Sequence, residues 1–450
     1  FMPAYRNKFW DGKVRLFNLK DKSIYYGLIN YVKKFCEERN YKLDIHSSVE
    51  SAANFSLLEA GEFVNTLNLP HKVRNYQLKS FVNAVRHKRM LLLSPTASGK
   101  SLIQYIILRY IQQQKFKKGL LIVPTTSLVE QMYKDFESYG YDSDTFCHRQ
   151  YAGKDKTTDK FLTITTWQSI YKNPKEYFEQ FDFVFGDEAH LFKAKSLTTI
   201  MTGLQNAAYR IGCTGTVDGT QTHRLVLEGL FGHLYKSVST SELIENKQLS
   251  EFKIKCLVLK YPEIVCKQSR DWDYQNEIEY IVKSTYRNEF IRNLALSLNG
   301  NSLVLFQLVE RHGKKLYDII KKKAKDRLTF FVYGGTEVDV REKIREITET
   351  QNDAIIVASY GTFSTGINIR NLHNVIFASP SKSKIRNLQS IGRGLRIGDS
   401  KKESTIFDID DDFRIGKHVN FTLNHFGERL KIYDEEKFKY KMYNIKVNNE

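Results

Sequence analysis

Cysteine is scarce in this chain: five occur in 450 residues, none in a Cys-x-x-Cys pair and none beside a cluster of histidines. Zinc and a disulfide framework are therefore poorly supported, and a reducing compartment, the cytoplasm, is the expectation. No apolar run approaches the roughly 18 residues of a membrane-spanning helix, and no signal-peptide pattern opens the chain, so a membrane role is not expected. Short repeats and low-complexity tracts are missing too, which argues against solenoids and disordered scaffolds. Acidic residues are in deficit: 51 Asp and Glu stand against 69 Lys and Arg, a formal net charge of +18. Since the excess is spread along the chain, it favours a polyanionic partner, because each neutralised phosphate releases counterions.

What is present can build cores. Hydrophobic residues make up 41% of the sequence and charged residues 27%, which suits folded domains, and the length suits two or three of them. The first 70 residues read as a separate small α+β module, basic and aromatic, with helical spacing from Gly27 to Arg39 and a break at Asn68-Leu69-Pro70. Over residues 1–46, ten Lys and Arg face five Asp and Glu. From Arg89 the pattern changes to short apolar runs alternating with amphipathic stretches. Met90–Leu93, Leu120–Val123, Phe161–Ile164, Phe183–Phe185 and Tyr209–Gly212 read as buried strands, with helices at Leu102–Tyr110 and Leu128–Phe136. A polar stretch near 237–252 reads as a connection. Leu303–Phe306, Thr329–Val332, Ile355–Val357, Val375–Phe377 and Thr405–Phe407 then read as the strands of a second such lobe. The expected architecture is α/β: lobe one over 71–240, lobe two over 241–410, each a parallel sheet covered on both faces, and an extension of lobe two over 411–450.

The strongest local signal is Ser94-Pro95-Thr96-Ala97-Ser98-Gly99-Lys100-Ser101, between an apolar strand and an apolar helix. That context suits a phosphate-binding loop, where N–H groups at the helix start point at phosphates. Lys100 would hold the β- and γ-phosphates of ATP, and the Ser101 hydroxyl would hold Mg²⁺. Further along, Asp187-Glu188-Ala189-His190 follows a strand. Asp187 at that strand end would hold Mg²⁺ through water, and Glu188 would orient and deprotonate the attacking water. His190 suits either a link from the nucleotide site or a structural hydrogen bond.

With these motifs in place the chain resembles superfamily 2 helicases, and other segments fall in that family's order. Arg74-Asn75-Tyr76-Gln77 is similar to the adenine-reading motif, with Arg74 and Gln77 as nucleotide contacts. Val123-Pro124-Thr125-Thr126 and Thr165-Thr166-Trp167-Gln168-Ser169 resemble nucleic-acid-backbone motifs. Thr214-Gly215-Thr216 resembles the motif that couples the lobes. In lobe two, Tyr333-Gly334-Gly335-Thr336 and Ser359–Asn368, with Thr362 and Gly366, resemble strand-contacting and coupling motifs. Gln389–Arg396 is similar to the arginine-finger motif, with Arg393 and Arg396 as the fingers. More narrowly the chain resembles the group of XPB-type double-stranded DNA translocases and, within it, phage recombination helicases that share a short N-terminal module with Phe9-Trp10-Asp11-Gly12-Lys13. Asn368 departs from the Asp of many relatives. Gly186 departs from the usual aliphatic residue, and a looser strand end is expected there.

That resemblance implies two RecA-like lobes, ATP and Mg²⁺ as cofactors, and branched and double-stranded DNA as partner, including RNA–DNA hybrid. It also implies a monomer working beside replication or recombination proteins. An RNA helicase and a duplex translocase that never separates strands remain open as alternatives. By residue type alone, Pro124, Thr125, Thr166, Thr336 and Gly334 suit either backbone contact or ordinary turns, and Trp167 suits packing or strand contact. In the N-terminal module, Phe9, Trp10, Lys13, Arg15 and Phe17 combine aromatics with charge, as stacking on unpaired bases requires, or as a small core requires. Binding to DNA should weaken steeply with salt, log K falling against log[salt] by about 0.9 per phosphate contacted. A titration that finds a flat response would exclude backbone binding.

Overall fold

The computed structural model describes residue 8 and residues 11–46, 53–151, 158–217, 221–246, 248–249, 251–366, 369, 371–380 and 403–447. The chain divides into two compact units, Phe1–Ser94 with Gly99–Val238, and Ser239–Glu450 with the loop Pro95–Ser98.

The first unit opens with an antiparallel hairpin of β1 (Phe17–Asn18) and β2 (Ser23–Ile24), then a turn of 3₁₀ helix at Tyr26–Leu28 and helix α1 (Ile29–Glu37). Helices α2 (Asn75–His87), α3 (Lys100–Gln113) and α4 (Thr126–Ser138) alternate with β3 (Arg89–Leu93), β4 (Gly119–Val123) and β5 (Cys147–Gln150). The sheet is completed by β6 (Leu162–Thr166), β7 (Phe183–Asp187), β8 (Tyr209–Thr214) and β9 (Leu234–Lys236), with helix α5 (Gln221–Phe231) before the last. All seven strands are parallel, in the order β5-β6-β4-β7-β8-β3-β9. Helices on both faces explain the continuous apolar runs. Leu91 joins a core with Ile122 and Val184 on one side, and Leu92 joins Leu121 and Phe185 on the other.

In the second unit the strands are β10 (Glu251–Lys260), β11 (Ser302–Phe306), β12 (Thr329–Val332), β13 (Ile355–Ser359), β14 (Asn374–Phe377), β15 (Glu403–Asp412) and β16 (Tyr440–Lys446). They too are all parallel, in the order β12-β13-β11-β14-β15-β10-β16. Two regions differ from the sequence reading. The polar stretch near 237–252 contains a helix, Thr240–Glu245, and the start of β10; Lys253 is exposed near the amino end of that strand, where polar residues cost little. Of the segment 411–450, the described residues up to 447 form the end of β15, helix α6 (Phe421–Glu435) and the edge strand β16, a β-α-β crossover that passes over β10. Lysines at 441 and 446 mark β16 as a guarded edge, which is why it reads as polar.

Gly186 does not loosen its strand. A Cβ built there would lie 2.8 Å from the rings of both Phe192 and Phe231, and one on Gly212, its partner across β8, would lie 2.8 Å from Phe231. Paired glycines on neighbouring strands therefore seat two aromatic rings, whose centroids are 5.0 Å apart, and β7 runs unbroken to Asp187.

The acidic run Asp408-Ile409-Asp410-Asp411-Asp412 lies inside the second sheet on β15. Asp411 accepts from Arg287 Nε at 2.8 Å and from Tyr261 Oη at 2.8 Å, and Arg287 Nη1 donates to Ala378 O at 2.7 Å. Arg429 of α6 reaches Asp408 at 2.9 Å and Asp410 at 3.0 Å. Glu277 closes the start of α6 by accepting from Phe421 N and Thr422 N at 2.9 and 2.7 Å. Arg287 and Asp411 are fully buried. Arg287→Ala leaves a buried carboxylate without its cation and should cost the second unit about 3–5 kcal/mol, read as a lower urea midpoint; an unchanged midpoint would show that the ion pair contributes no stability.

Candidate nucleotide site

Adjacent parallel strands bring their carboxyl ends to one edge of the first sheet. Leu93 pairs with Thr214 across β3 and β8, and Asp187 pairs with Cys213 across β7 and β8. The loop Ser94–Gly99, the Thr214 motif and the acidic motif are therefore neighbours because of sheet register, although they are far apart in sequence.

The loop is held from several sides. Ser94 N donates to Thr214 O at 2.9 Å, and Ser237 Oγ donates to Ser94 Oγ at 2.7 Å. Ser98 Oγ donates to Pro95 O at 2.6 Å. Ala97 and Gly99 adopt φ of +65° and +78°, the left-handed turn that aims the first N–H groups of α3 across the loop. Lys100 Nζ reaches back to Ser94 O at 3.2 Å. A Cβ on Gly99 would lie 2.4 Å from Gln77 Nε2. Gln77 is buried and its Oε1 accepts from Arg74 N at 2.9 Å, so the start of α2 is pressed against the loop. Thr96 lies part-buried in the same turn.

Asp187 ends β7, and Glu188 follows in a left-handed conformation with φ of +48°, a strained choice for a residue with a Cβ. Burial, together with the Glu188 charge, pushes the Asp187 carboxyl up to about 6, against Lys100 and the Gln104 amide, which favour the ion. His190 Nδ1 lies 3.3 Å from Glu188 Oε2 and 3.0 Å from Thr214 Oγ1. Thr214 Oγ1 donates its single hydrogen to Thr216 O at 2.8 Å. His190 must then be the donor to Thr214, which fixes its proton on Nδ1. His190, Thr214 and Thr216 thus form one hydrogen-bonded chain to the coupling motif, with the Glu188 carboxylate lying beside its start.

Three residues of the site were not singled out from the sequence. Gln104, one turn after Lys100 on α3, is buried beside Asp187 and Cys213. Tyr139 Oη sits 2.9 Å from Ser101 Oγ, and Ser237 holds Ser94. An apolar helix interrupted by a glutamine was the available signal for the first; nothing local marks the other two.

The expected nucleic-acid contacts are spread over both units. Thr125 Oγ1 accepts from Leu128 N at 3.3 Å as the cap of α4, after a part-buried Pro124. Thr166 Oγ1 is 2.9 Å from Ser169 Oγ, and Trp167 packs on the core and against Tyr171. In the second unit Thr336 Oγ1 accepts from Tyr333 N at 3.0 Å, Thr362 Oγ1 lies 2.8 Å from Ser359 Oγ, and Gly334 is exposed. Gly366 ends a helix. Each of these threonine hydroxyls is engaged in its own turn. Lys13, Arg15 and Phe17 are described in the N-terminal module, with Arg15 paired to Asp11. Phe9, Trp10, Asn368, Arg393 and Arg396 lie outside the described residues.

Three family profiles match successive parts of the chain: "DNA helicase UvsW, N-terminal" over residues 1–46, "Type III restriction enzyme, res subunit" over 70–219, and "Helicase conserved C-terminal domain" over 286–398. The ATP-dependent DNA helicase uvsW of Enterobacteria phage T4 is 34% identical over 473 aligned residues, covering 99% of this chain and 93% of that protein. The chain belongs to the UvsW family of superfamily 2 helicases. The DNA 3'-5' translocase XPB2 of Sulfurisphaera tokodaii is 24% identical, over 75% of this chain and 81% of its own length. Among solved structures, the ATP-dependent Type ISP restriction-modification enzyme LlaBIII bound to DNA aligns with a TM-score of 0.62 at 17% identity, over 85% of this chain and 32% of that one. That likeness is one of fold, and the two parallel-sheet units are the two RecA-like lobes of this UvsW-family chain.

Because the folded chain holds the Asp187 proton more tightly than a free carboxyl of value 3.8 does, this group's contribution to stability is fullest below about pH 4 and is lost as pH rises through about 6. Asp187→Asn should therefore melt above the parent at about pH 8, with the gap closing toward pH 4. A gap of the same size at both ends would mean that Asp187 titrates normally.

Proposed function

We propose that this chain is an ATP-dependent DNA helicase and translocase that remodels branched DNA, by fork regression, Holliday-junction branch migration and unwinding of RNA–DNA loops. The carrying observation is the end-to-end likeness to the phage T4 helicase, at 34% identity over 99% of the chain. The assembled edge of the first sheet supports it chemically. Substrate binding to the loop would place phosphates against the N–H groups of α3, with Lys100 freed from Ser94 O to meet the β- and γ-phosphates. Arg74 and Gln77 are the adenine-side contacts. Glu188, strained and beside His190, is the group that orients and deprotonates the attacking water. Arg393 and Arg396 are assigned to stabilise charge developing on the γ-phosphate, and the chain from His190 to Thr216 to signal its state onward.

The residues present fit Mg²⁺. Ser101 offers a hydroxyl oxygen and Asp187 a carboxylate that burial penalises without a cation. Among the described residues no group of three or more His, Cys, Asp or Glu could cage a metal, and Mg²⁺ is usually held by one or two carboxylates plus phosphate oxygens. Ser101 and Asp187 would hold it, and when bound it would neutralise phosphate charge.

On the DNA side, Pro124, Thr125, Thr166, Trp167, Gly334, Thr336 and Thr362 are proposed to follow the strand backbone, with weak sequence preference. Residues 1–70 are proposed as the branch-reading module, with Lys13, Arg15 and Phe17 at its working face beside Phe9 and Trp10. A groove of about 690 Å³ opens there, lined among others by Arg15, Phe17, Lys20, Ile24 and, from the main body of lobe one, Thr202.

Lys100→Ala should abolish ATP hydrolysis with the fold intact. Arg393→Ala and Arg396→Ala should keep ATP binding and slow turnover, an arginine finger contributing roughly 10³–10⁵ in rate in phosphoryl-transfer enzymes. The parent should remodel forks and junctions in preference to linear duplex. Stimulation by RNA alone, or ATP-dependent movement without remodelling of any branched substrate, would replace this reading with an RNA helicase or a simple translocase.

A further inference from the structure

The N-terminal module is not tethered loosely to lobe one. Leu28 is 2% exposed, and Leu16 and Tyr25 pack on the lobe-one core. A Cβ on Gly27 would lie 1.9 Å from Glu228 O, and one on Gly229 would lie 3.0 Å from Tyr25 Cβ, so the turn ahead of α1 meets the backbone of α5 directly. The Arg89 guanidinium at the start of β3 stacks over the Tyr26 ring, 4.7 Å from its centroid.

At the centre of this contact is a carboxylate that the nucleotide chemistry does not use. Glu228 is 3% exposed. Its Oε2 accepts from Tyr31 Oη at 2.5 Å; its Oε1 accepts from Arg224 Nε and Nη2 and from Leu234 N, each at 3.2 Å. A buried carboxylate is costly unless donors surround it, and here one of the donors comes from the module. The two elements gripped are those that serve the nucleotide site: β3 leads into the phosphate loop, and α5 is the first helix after Thr216.

We propose that Tyr31 and Glu228 form a lock that fixes the N-terminal module to α5 as a rigid part of lobe one, so that branch preference depends on the module's held position and not merely on its presence. Both are positioning residues: neither belongs to the nucleotide edge or to the proposed strand contacts. The lock keeps the hairpin wall of the groove, with Arg15 and Phe17, in register with Thr202 on the opposite wall. A branch held there is then presented at a constant distance from the moving motor. The proposal rests on the module being the branch reader.

The test uses the full-length chain. ATPase KM and kcat are measured on a fork and on linear duplex for the parent, Tyr31→Phe, Glu228→Gln, Gly27→Val and the doubly substituted Lys13→Ala, Arg15→Ala. Amide hydrogen exchange of residues 27–31 reports whether the module is docked. The lock predicts faster exchange in the first three variants, kcat on linear duplex unchanged, and a fork preference in KM reduced about tenfold, the equilibrium weight of one hydrogen bond to a charged group. Fork preference retained in Gly27→Val while exchange shows the module released overturns the lock. So does full preference in Tyr31→Phe, the variant least able to disturb folding. If Lys13→Ala, Arg15→Ala keeps its preference while the lock variants lose theirs, the lock stands and the basic face is not the reader. If all the variants keep it, the branch-reading assignment falls along with the lock.

Discussion

The chemistry of this protein depends on the register of three neighbouring parallel strands. Only because β7, β8 and β3 run side by side, with Asp187 opposite Cys213 and Leu93 opposite Thr214, do a lysine, two carboxylates, a histidine and a threonine share one edge. A slip of a single residue would turn Asp187 to the other face of the sheet. That register is protected by packing. The facing glycines 186 and 212 leave room for Phe192 and Phe231, and those rings fill the space that side chains on the strands would otherwise take. Phe231 belongs to α5, so the helix that carries Glu228 also clamps the strand that carries Asp187.

The second lobe solves a different problem on the same topology. Its strand β15 places Asp408, Asp410 and Asp411 in the interior, where unpaired carboxylates would not be tolerated. Arg287, Arg429, Tyr261 and Tyr433 supply the donors. Such pairs add little net stability compared with apolar packing, but they penalise wrong arrangements, since any mispairing leaves a charge buried alone. His312 belongs to the same polar interior: burial pulls its ring down to about 3, so it stays neutral between Ser379 and Asn288.

Strain and tension meet at the nucleotide edge of lobe one. Glu188 keeps a left-handed backbone, and burial with the neighbouring Glu188 charge raises the Asp187 carboxyl to about 6. The hydrogen-bonded chain through His190 and Thr214 ends at Thr216, on the segment that runs on toward α5 and the N-terminal module.

The sequence alone determined the two-lobed α/β architecture, because a parallel strand covered on both faces must be apolar throughout and a phosphate loop must sit between strand and helix. It also determined the order of motifs from Arg74 to Arg396. Where polar residues lie at exposed strand ends or edges, as at β10 and β16, the sequence was silent, since the same residues also make loops. It misled at Gly186, where the reason for a glycine lies in the rings of Phe192 and Phe231, six and 45 residues further along the chain, which no local pattern announces. Only the tertiary structure decided that Gln104 and Tyr139 attend the nucleotide edge, that an acidic run on β15 is core and not loop, and that Tyr31 meets Glu228. Each of these is a contact between residues distant in sequence, and periodicity carries no information about which distant partner a buried polar group will find.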